Sequence, residues 1–305
     1  MDPFKTILCA TDFSAPARHA AARAFKLAGE VGAAVTLLHV LNRSALDELR
    51  ALLGMQAESV EQRLIERARA ELNDVAAGVG AALEVAADVH VSTGAVLREV
   101  LDHADATDAD LLVLGARGES FLRHTLLGAT AARLLRKSVR RPVLVVKQAP
   151  HEAYRSVLIA VDFSHVSLHA IRTARQVAPD ADLVLLHAFE LPYESKLAFA
   201  GVAERVIRQY VTSASETRRI RLHDLAAAAG LAPMEFPARV IHGDPSQQIV
   251  AMEQEYDCDL IVVGKHGSHI AEELLLGSVT KHVLAESQCD VLVICDPREA
   301  PEQLP

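Results

Sequence analysis

Tryptophan is absent from this chain of 305 residues, and aromatic side chains make up only 4% of it. Surfaces that stack on nucleic-acid bases depend on aromatic rings, so this scarcity argues against such a surface. Positive charge is also in deficit, because 31 Lys and Arg stand against 40 Asp and Glu, for a formal net charge of -9. Charge-driven binding to nucleic acid or to an anionic membrane needs a basic surface. We therefore expect neither kind of partner.

Cysteine and long apolar runs are scarce as well. The four cysteines, Cys9, Cys258, Cys289 and Cys295, form no CxxC pair, so the sequence predicts neither a disulfide framework nor a zinc knuckle. Cys9 and Cys295 lie in strand-like apolar runs, and we interpret them as small buried hydrophobic residues. There is no run of 18 apolar residues and no signal-peptide pattern, which leads us to expect a cytoplasmic protein without a membrane span.

The residues that are present form two copies of one pattern. KTILCATDFS at 5–14 returns as RSVLIAVDFS at 155–164, and DLLVLG at 110–115 returns as DLIVVG at 259–264. The spacing between the copies is 150 residues for the first pair and 149 for the second. Repetition in the same order at a nearly constant spacing indicates a duplicated domain. With half of the residues apolar, each copy has material for its own core, and we predict domains at 1–148 and 154–297.

Each copy alternates short β-branched apolar runs with longer helical patterns. The predicted strands lie near 4–10, 34–40, 84–91, 110–115 and 142–147, and near 155–161, 182–189, 236–242, 259–264 and 290–295. The predicted helices of the first copy lie near 15–30, 45–77, 94–106 and 128–139. Strands that are apolar on both faces are typical of parallel sheets covered by helices. The sequence therefore predicts an α/β fold: two tandem, doubly wound, five-stranded parallel-sheet domains of Rossmann-like type.

A glycine pattern follows the fourth strand of each copy. Gly115, Gly118 and Gly128 have the spacing G-x-x-G-x9-G, and Gly264, Gly267 and Gly277 repeat it, each time between a strand and a helix. Glycines let backbone N–H groups approach a phosphate, and the N-terminus of a helix attracts anions. The hydroxyl groups of Ser278, Thr280 and Thr130 could donate to phosphate oxygens in addition. Asp12 and Asp162 end the first strands, where a carboxylate can accept hydrogen bonds from ribose hydroxyls.

Less specific interpretations of these residues remain open. Glycines are common at turns between strands and helices, and Ser or Thr is common where a helix begins. The pairs His165/His169 and His266/His269 have spacings compatible with metal ligands, but neither lies in an HExxH motif, and we predict no protein-held metal. The charged amphipathic stretches 59–77 and 204–229 are interpreted as solvated helices beside the sheets rather than as partner-binding grooves.

The glycine pattern, the first strand ending in Asp and the closing PVLVV strand resemble the universal stress protein family over nearly the whole chain. The resemblance implies a five-stranded parallel α/β fold and binding of ATP, or of ADP or AMP, with Mg²⁺ carried on the phosphates. It implies that Asp162 contacts ribose and that Ala188 lines an adenine pocket, with Asp12 and Val40 as first-copy counterparts. The residues that it implies for ribose and phosphate binding are Gly264, Gly267, Gly277, Ser278 and Val279, and in the first copy Gly115, Gly118, Gly128, Ala129 and Thr130.

The two copies depart from the family pattern to different degrees. The hydroxyl residue that follows the third glycine is Ser278 in the second copy but Ala129 in the first. One hydrogen bond to a charged group is worth about 1.5–3 kcal/mol, or one to two orders of magnitude in affinity. Lys265 and His266 would attract phosphates, whereas the loop carries Glu272 and Glu273 where the first copy has Arg123 and His124. We expect the second copy to bind the nucleotide more tightly.

Three functions fit these features. The first is a non-enzymatic, nucleotide-binding regulator of the stress response, which the resemblance favours. The second is a slow ATPase, although the chain has no GxxxxGK[S/T] motif and no residue evidently placed to orient water. The third is a chaperone-like or scaffold protein that binds no nucleotide. The closing strands 143–147 and 291–295 are predicted sheet edges, through which the two copies, and also two chains as a homodimer, could pair.

Overall fold

The computed structural model describes residues 4–53, 57–80, 83–118, 127–138, 141–232, 236–267 and 276–295. Its contacts divide the chain into two units. The first unit contains the chain up to Ala153 together with the segment that begins at Asp290, and the second unit contains Tyr154–Cys289. The end of the second unit thus differs from the predicted domain end at residue 297, because the last strand of the chain pairs within the first unit.

The elements of the first copy alternate between strands and helices, with a π-helical turn at Ala76–Gly80. They are β1 (Thr6–Ala10), α1 (Ala15–Val31), β2 (Ala34–Asn42), α2 (Arg43–Leu53), α3 (Ala57–Val75), β3 (Ala87–Gly94), α4 (Val96–Ala106), β4 (Leu111–Gly115), α5 (Ala129–Lys137) and β5 (Val143–Val146). The helix predicted at 45–77 is described as α2 and α3, and residues 54–56 between them lie outside the described residues.

The second copy repeats this order. Its elements are β6 (Ser156–Ala160), α6 (His165–Val177), β7 (Asp182–Phe189), α7 (Glu194–Phe199), α8 (Glu204–Ala228), β8 (Ala238–His242), α9 (Pro245–Glu255), β9 (Leu260–Gly264), α10 (Ser278–Glu286) and β10 (Asp290–Ile294). None of the helices that the structure describes combines the length and the apolar composition that a bilayer crossing requires.

The sheet of the first unit has the strand order β3-β2-β1-β4-β5-β10. All neighbours from β3 to β5 are parallel, and β10 adds to β5 in antiparallel orientation, with Leu292 opposite Leu144. Asp290 fixes this added strand, because its Oδ1 accepts hydrogen bonds from the N–H groups of Lys147 (2.8 Å) and Gln148 (3.4 Å). Its Oδ2 lies 3.4 Å from Nε of Arg23 in a buried ion pair. The predicted parallel sheet therefore carries one further strand.

The sheet of the second unit has the order β9-β6-β7-β8, with every pairing parallel. In both units the first strand lies between the second and the fourth, so the strand order reverses beside β1 and beside β6. Open parallel sheets bind ligands beyond the carboxyl ends of the strands at such a reversal. The central strands are buried on both faces, as in LLVLG of β4 and LIVVG of β9. The predicted α/β fold with a mostly parallel sheet is confirmed.

The pairing of β5 affects the predicted homodimer. One side of β5 pairs with β4 and the other with β10, so a second chain cannot add to β5 without displacing β10. A homodimer stays a prediction, and it cannot form through the edge of β5 that β10 already occupies.

The cysteines behave as small core residues. All four are buried, and none of them forms a disulfide bond. Burial raises the pKa of the Cys9 thiol to about 12 and that of the Cys258 thiol to about 11, so both stay protonated and unreactive near neutral pH. The prediction that Cys9 and Cys295 are buried hydrophobic residues is confirmed.

Candidate functional site

A cavity of about 420 Å³ lies beyond the carboxyl ends of β6, β7 and β9 in the second unit. One wall is the turn after β6, another is the glycine loop after β9, and α9 contributes the apolar side chains of Pro245 and Ile249. Eight of the nine site residues predicted for this copy line the cavity. They are Asp162, Ala188, Gly264, Gly267, Gly277, Ser278, Val279 and Thr280.

Asp162 is held in one orientation by the start of α6. Its Oδ1 accepts hydrogen bonds from the Ser164 N–H (3.0 Å), the Ser164 hydroxyl (2.6 Å) and the Ser167 hydroxyl (2.8 Å). Its Oδ2 is buried and has no hydrogen-bond partner among the described residues. A buried carboxylate oxygen without a donor is costly, and such groups normally have a partner. Oδ2 therefore needs a hydrogen-bond donor from outside the described residues.

The glycine loop of this cavity is closed on itself by two hydrogen bonds. The Gly277 N–H donates to the Lys265 carbonyl (2.9 Å), and the Thr280 hydroxyl donates to the Gly264 carbonyl (2.6 Å). Thr280 is 3% exposed, so its hydroxyl proton serves the loop rather than an incoming phosphate. A Cβ atom at Gly267 would lie 3.6 Å from Oδ2 of Asp162, which brings the loop backbone close to the carboxylate.

The N-terminus of α10 opens beside this loop. Its N-cap residue is Gly277, which has no side chain to accept from the first N–H groups of the helix. Ser278 is exposed at the first helical position, so its hydroxyl and the backbone donors of the first turn are available to the same ligand. Uncapped N–H groups together with the helix dipole favour a bound anion.

Lys265 is the predicted site residue that the structure does not bring to the cavity. Its side chain is 1% exposed and is not one of the described groups that line the cavity. The aligned residue of the first copy is Ala116, which is also buried, so the residue after the first glycine points inward in both copies. His266, the next residue, does line the cavity. Glu272, Glu273 and His269 lie outside the described residues.

The first unit contains an equivalent cavity of about 400 Å³, beyond the carboxyl ends of β1, β2 and β4. All seven residues predicted for this copy line it: Asp12, Val40, Gly115, Gly118, Gly128, Ala129 and Thr130. The Gly128 N–H closes the loop by donating to the Ala116 carbonyl (2.8 Å), and Gly128 is the N-cap of α5. Arg123 and His124 lie outside the described residues.

Close packing explains two of the glycines in the first unit. A Cβ atom at Gly115 would lie 2.8 Å from the carbonyl carbon of Pro16, where β4 meets the start of α1. A Cβ atom at Gly118 would lie 2.5 Å from Oδ2 of Asp12, closer than two such atoms can approach. Oδ1 of Asp12 accepts from the Ser14 N–H (3.1 Å) and the Ser14 hydroxyl (2.6 Å). The first copy thus rebuilds the same contact between a carboxylate and a glycine loop.

Comparison with known proteins agrees with this architecture. The family model described as "Universal stress protein family" matches residues 3–147 and again 153–294. The chain belongs to the universal stress protein family. A universal stress protein of Mycolicibacterium smegmatis is 27% identical over 94% of this chain and 96% of its own length. Universal stress protein MJ0531 of Methanocaldococcus jannaschii is 30% identical over 48% of this chain and 85% of its own length.

The fold is also found among solved structures of the family. The crystal structure of a universal stress protein from Archaeoglobus fulgidus superposes with a TM-score of 0.62, at 22% identity, over 96% of this chain and 98% of the other. At this identity the likeness supports the fold alone. Together with the two matches of the family model, it describes this chain as a tandem universal stress protein.

The sequence prediction missed several residues that line the two sites of this universal stress protein. They are Thr11, His39, Val96, Val100 and Arg117 in the first cavity, and Ser164, Ser167, Pro245 and Ile249 in the second. Ser164 and Ser167 follow Asp162 by two and five residues, so the local pattern Asp-x-Ser-x-x-Ser was the available signal. Among the described residues, no group of three or more His, Cys, Asp and Glu is arranged to hold a metal ion.

Proposed function

We propose that this chain binds an adenine nucleotide, ATP or the related ADP or AMP, at the cavity of the second unit and more weakly at that of the first. The observation that carries the proposal is the pairing of Asp162 with the glycine loop across one cavity. Its buried Oδ2 has no donor among the described residues, and a pair of ribose hydroxyls would supply one. A volume of about 420 Å³ is within the usual range of small-molecule sites.

The phosphates belong at the other end of the same cavity. The Ser278 hydroxyl and the uncapped N-terminus of α10 would donate hydrogen bonds to them, and Mg²⁺ would arrive bound to the phosphates. The base would lie against the apolar residues Ala188, Pro245 and Ile249. We further propose that nucleotide occupancy serves a non-enzymatic role in the stress response. The cytoplasmic location stays a prediction from the sequence.

The test is to denature freshly purified full-length protein and to assay the supernatant for released nucleotide by chromatography. We expect about one nucleotide per chain, and less after dialysis against ATP-free buffer. The control is Gly277→Val, whose side chain would enter a space where even a Cβ atom lies 3.3 Å from the Lys265 carbonyl oxygen. If this variant still releases nucleotide, the nucleotide binds at another site. Absence of nucleotide, with no binding of added ATP–Mg²⁺ in calorimetry, would leave a scaffold that binds none.

A further inference from the structure

In both units, a histidine lies on the strand beside the one that leads to the aspartate. β7 ends its ladder with β6 where the Val161 N–H donates to the Leu186 carbonyl (2.8 Å). At the next residue a side chain takes over from the backbone, because Nδ1 of His187 lies 2.7 Å from the Val161 carbonyl oxygen. A carbonyl oxygen only accepts, so Nδ1 carries the proton and donates. The carbonyl that immediately precedes Asp162 is thereby fixed by an imidazole.

The first unit has the same arrangement. The Thr11 N–H donates to the Leu38 carbonyl (2.9 Å), and Nδ1 of His39 lies 2.8 Å from the Thr11 carbonyl oxygen. Thr11 precedes Asp12 as Val161 precedes Asp162. Both histidines therefore make the same hydrogen bond at the same step of the chain, one residue before the carboxylate.

The same imidazoles also support the backbone immediately after the carboxylate. Phe13 and Phe163 both have φ 63°, the left-handed region that costs a residue with a side chain roughly 1–2 kcal/mol. The ring of Phe163 packs on His187 at a centroid distance of 4.3 Å, and that of Phe13 stacks on His39 at 4.4 Å. In the second unit, the guanidinium carbon of Arg221 lies over the Phe163 ring, 4.4 Å from its centroid.

These contacts hold the turn that orients Asp162. The hydrogen bond from His187 fixes Val161, the residue before Asp162. The packing of the Phe163 ring on His187 fixes the strained residue after Asp162. Between these two points, the three hydrogen bonds to Oδ1 leave only Oδ2 toward the cavity. His187 is not one of the described residues that line this cavity, whereas its neighbours Leu186 and Ala188 are. Among the described residues, His187 thus acts on the cavity through the turn that holds Asp162 and not by lining it.

We propose that His187 is a positioning residue that aims Asp162 at the sugar hydroxyls of the bound nucleotide, and that His39, which in addition lines the first cavity, orients Asp12 in the same way. The proposal rests on the proposed function, because it assigns the histidines to that same site. It makes a specific claim about selectivity. Removing the Nδ1 donor should weaken only the part of the binding that passes through Asp162, while contacts to base and phosphates persist.

The experiment compares two substitutions of His187 in the full chain, with Gly128→Val in every sample to close the first cavity. His187→Phe keeps an aromatic ring against Phe163 and removes the donor. His187→Asn places an amide N–H close to the position of Nδ1. Calorimetry measures the Kd of ATP–Mg²⁺ and of the 2′,3′-dideoxy analogue, which has no sugar hydroxyls.

We expect His187→Phe to weaken ATP binding about tenfold, the effect of one misplaced hydrogen bond to a charged group. Binding of the dideoxy analogue should stay as in the parent chain, and His187→Asn should restore the preference for ATP. Equal weakening of both ligands, no change in either, or failure of His187→Asn to restore the preference would overturn the proposal. A parent chain that binds neither ligand would overturn the proposed function itself, and that outcome is distinguishable before any substitution of His187 is made.

A second measurement needs no nucleotide. The Ser164 amide donates to Oδ1 of Asp162, so its hydrogen exchange reports the orientation of the carboxylate. We expect about tenfold faster exchange in His187→Phe and the parental rate in His187→Asn, if the same hydrogen-bond free energy is lost. Parental exchange in His187→Phe would contradict a positioning role even if nucleotide binding fell.

Discussion

The two cavities of this universal stress protein share their backbone and differ in their hydroxyl groups. Both have an aspartate after the first strand, a glycine loop after the fourth strand, and an uncapped helix N-terminus. Three hydroxyl-bearing residues of the second cavity are alanines in the first. The aligned pairs are Ser167 with Ala17, Ser278 with Ala129, and Thr280 with Ala131, and all six residues line their cavities.

Each missing hydroxyl removes a different interaction. Ser167 donates a second serine hydroxyl to Oδ1 of Asp162, whereas its counterpart Ala17 has no hydroxyl to donate to Asp12. The first cavity has its own polar groups, including the exposed Arg117 where the second has the buried His266. Duplication thus preserved the backbone that forms the cavity, while the side chains that line it diverged.

The largest expected difference in nucleotide binding between the two cavities comes from adding one methyl group to each of two equivalent glycines. Gly118→Ala places a Cβ 2.5 Å from Oδ2 of Asp12, so we expect loss of nucleotide binding in the first cavity by about 100-fold, the upper end of an overpacking cost. Gly267→Ala places its Cβ at 3.6 Å, an ordinary contact, and should weaken the second cavity only about threefold. Stoichiometry and Kd from calorimetry separate the two sites. If the two substitutions weakened binding equally, the distance between the added Cβ atom and the carboxylate would not determine the loss.

Exchanging the residues at the first helical position should transfer affinity between the cavities. Ser278→Ala removes a phosphate donor and should weaken the second cavity about tenfold, and Ala129→Ser should strengthen the first by a smaller factor. Both positions are exposed, so neither change disturbs the core. Calorimetry with ATP and with adenosine provides the check, because adenosine has no phosphate and its binding should not change. Equal losses for both ligands would contradict the phosphate role of Ser278.

Much of the site was predictable because its parts are local in sequence and occur twice. The ends of buried strands, the G-x-x-G-x9-G spacing, the aspartates after β1 and β6 and the family resemblance together gave sixteen residues, and fifteen of them line the two cavities. The exception, Lys265, was assigned by its charge, although its aligned partner Ala116 is apolar. Alignment of the two copies indicates that this position points inward. The charge of Lys265, taken alone, indicated a position that faces the ligand.

What could not be predicted depends on contacts between distant elements. Pairing of the two closing strands, β5 and β10, was predicted from their apolar edges, but nothing in the runs VLVV and DVLVI specifies that the pairing is antiparallel. The role of His39 and His187 depends on a carbonyl 28 or 26 residues earlier in the chain. The repeated Leu-Leu-His at 37–39 and 185–187 marked the position, but its hydrogen bond exists only after β7 pairs with β6.

A smaller effect distinguishes the loop of the second unit from that of the first. Thr280→Val keeps the β-branched shape but leaves the Gly264 carbonyl without its hydroxyl donor, and we expect a loss of about 1 kcal/mol in the free energy of unfolding. The matched control is Thr173→Val in α6, since Thr173 is 1% exposed and its hydroxyl has no partner among the described residues. That control should be neutral or stabilising. Urea denaturation measures both, and equal losses would show that the hydroxyl bond to the loop has no special weight.

The smallest expected effect concerns pH. Burial lowers the pKa of the His187 imidazole below its usual 6.5, the guanidinium groups of Arg218 and Arg221 lower it further, and the Val161 carbonyl and Asp162 oppose them. The unfolded chain therefore binds this proton more readily than the folded chain, so its contribution to stability is complete above about pH 6.5 and declines as the pH falls toward the lower folded pKa.

His187→Asn isolates this contribution, because an amide supplies the N–H donor without titrating. We expect the urea midpoint of the parent chain to fall more steeply than that of the variant between pH 7.5 and pH 5.5. The titration of the remaining groups is shared by both chains, including that of His103, whose pKa is lowered by burial and by the neighbouring His90. Because only the difference between the two curves reports His187, parallel curves would mean that its imidazole is no harder to protonate in the folded chain than in the unfolded one.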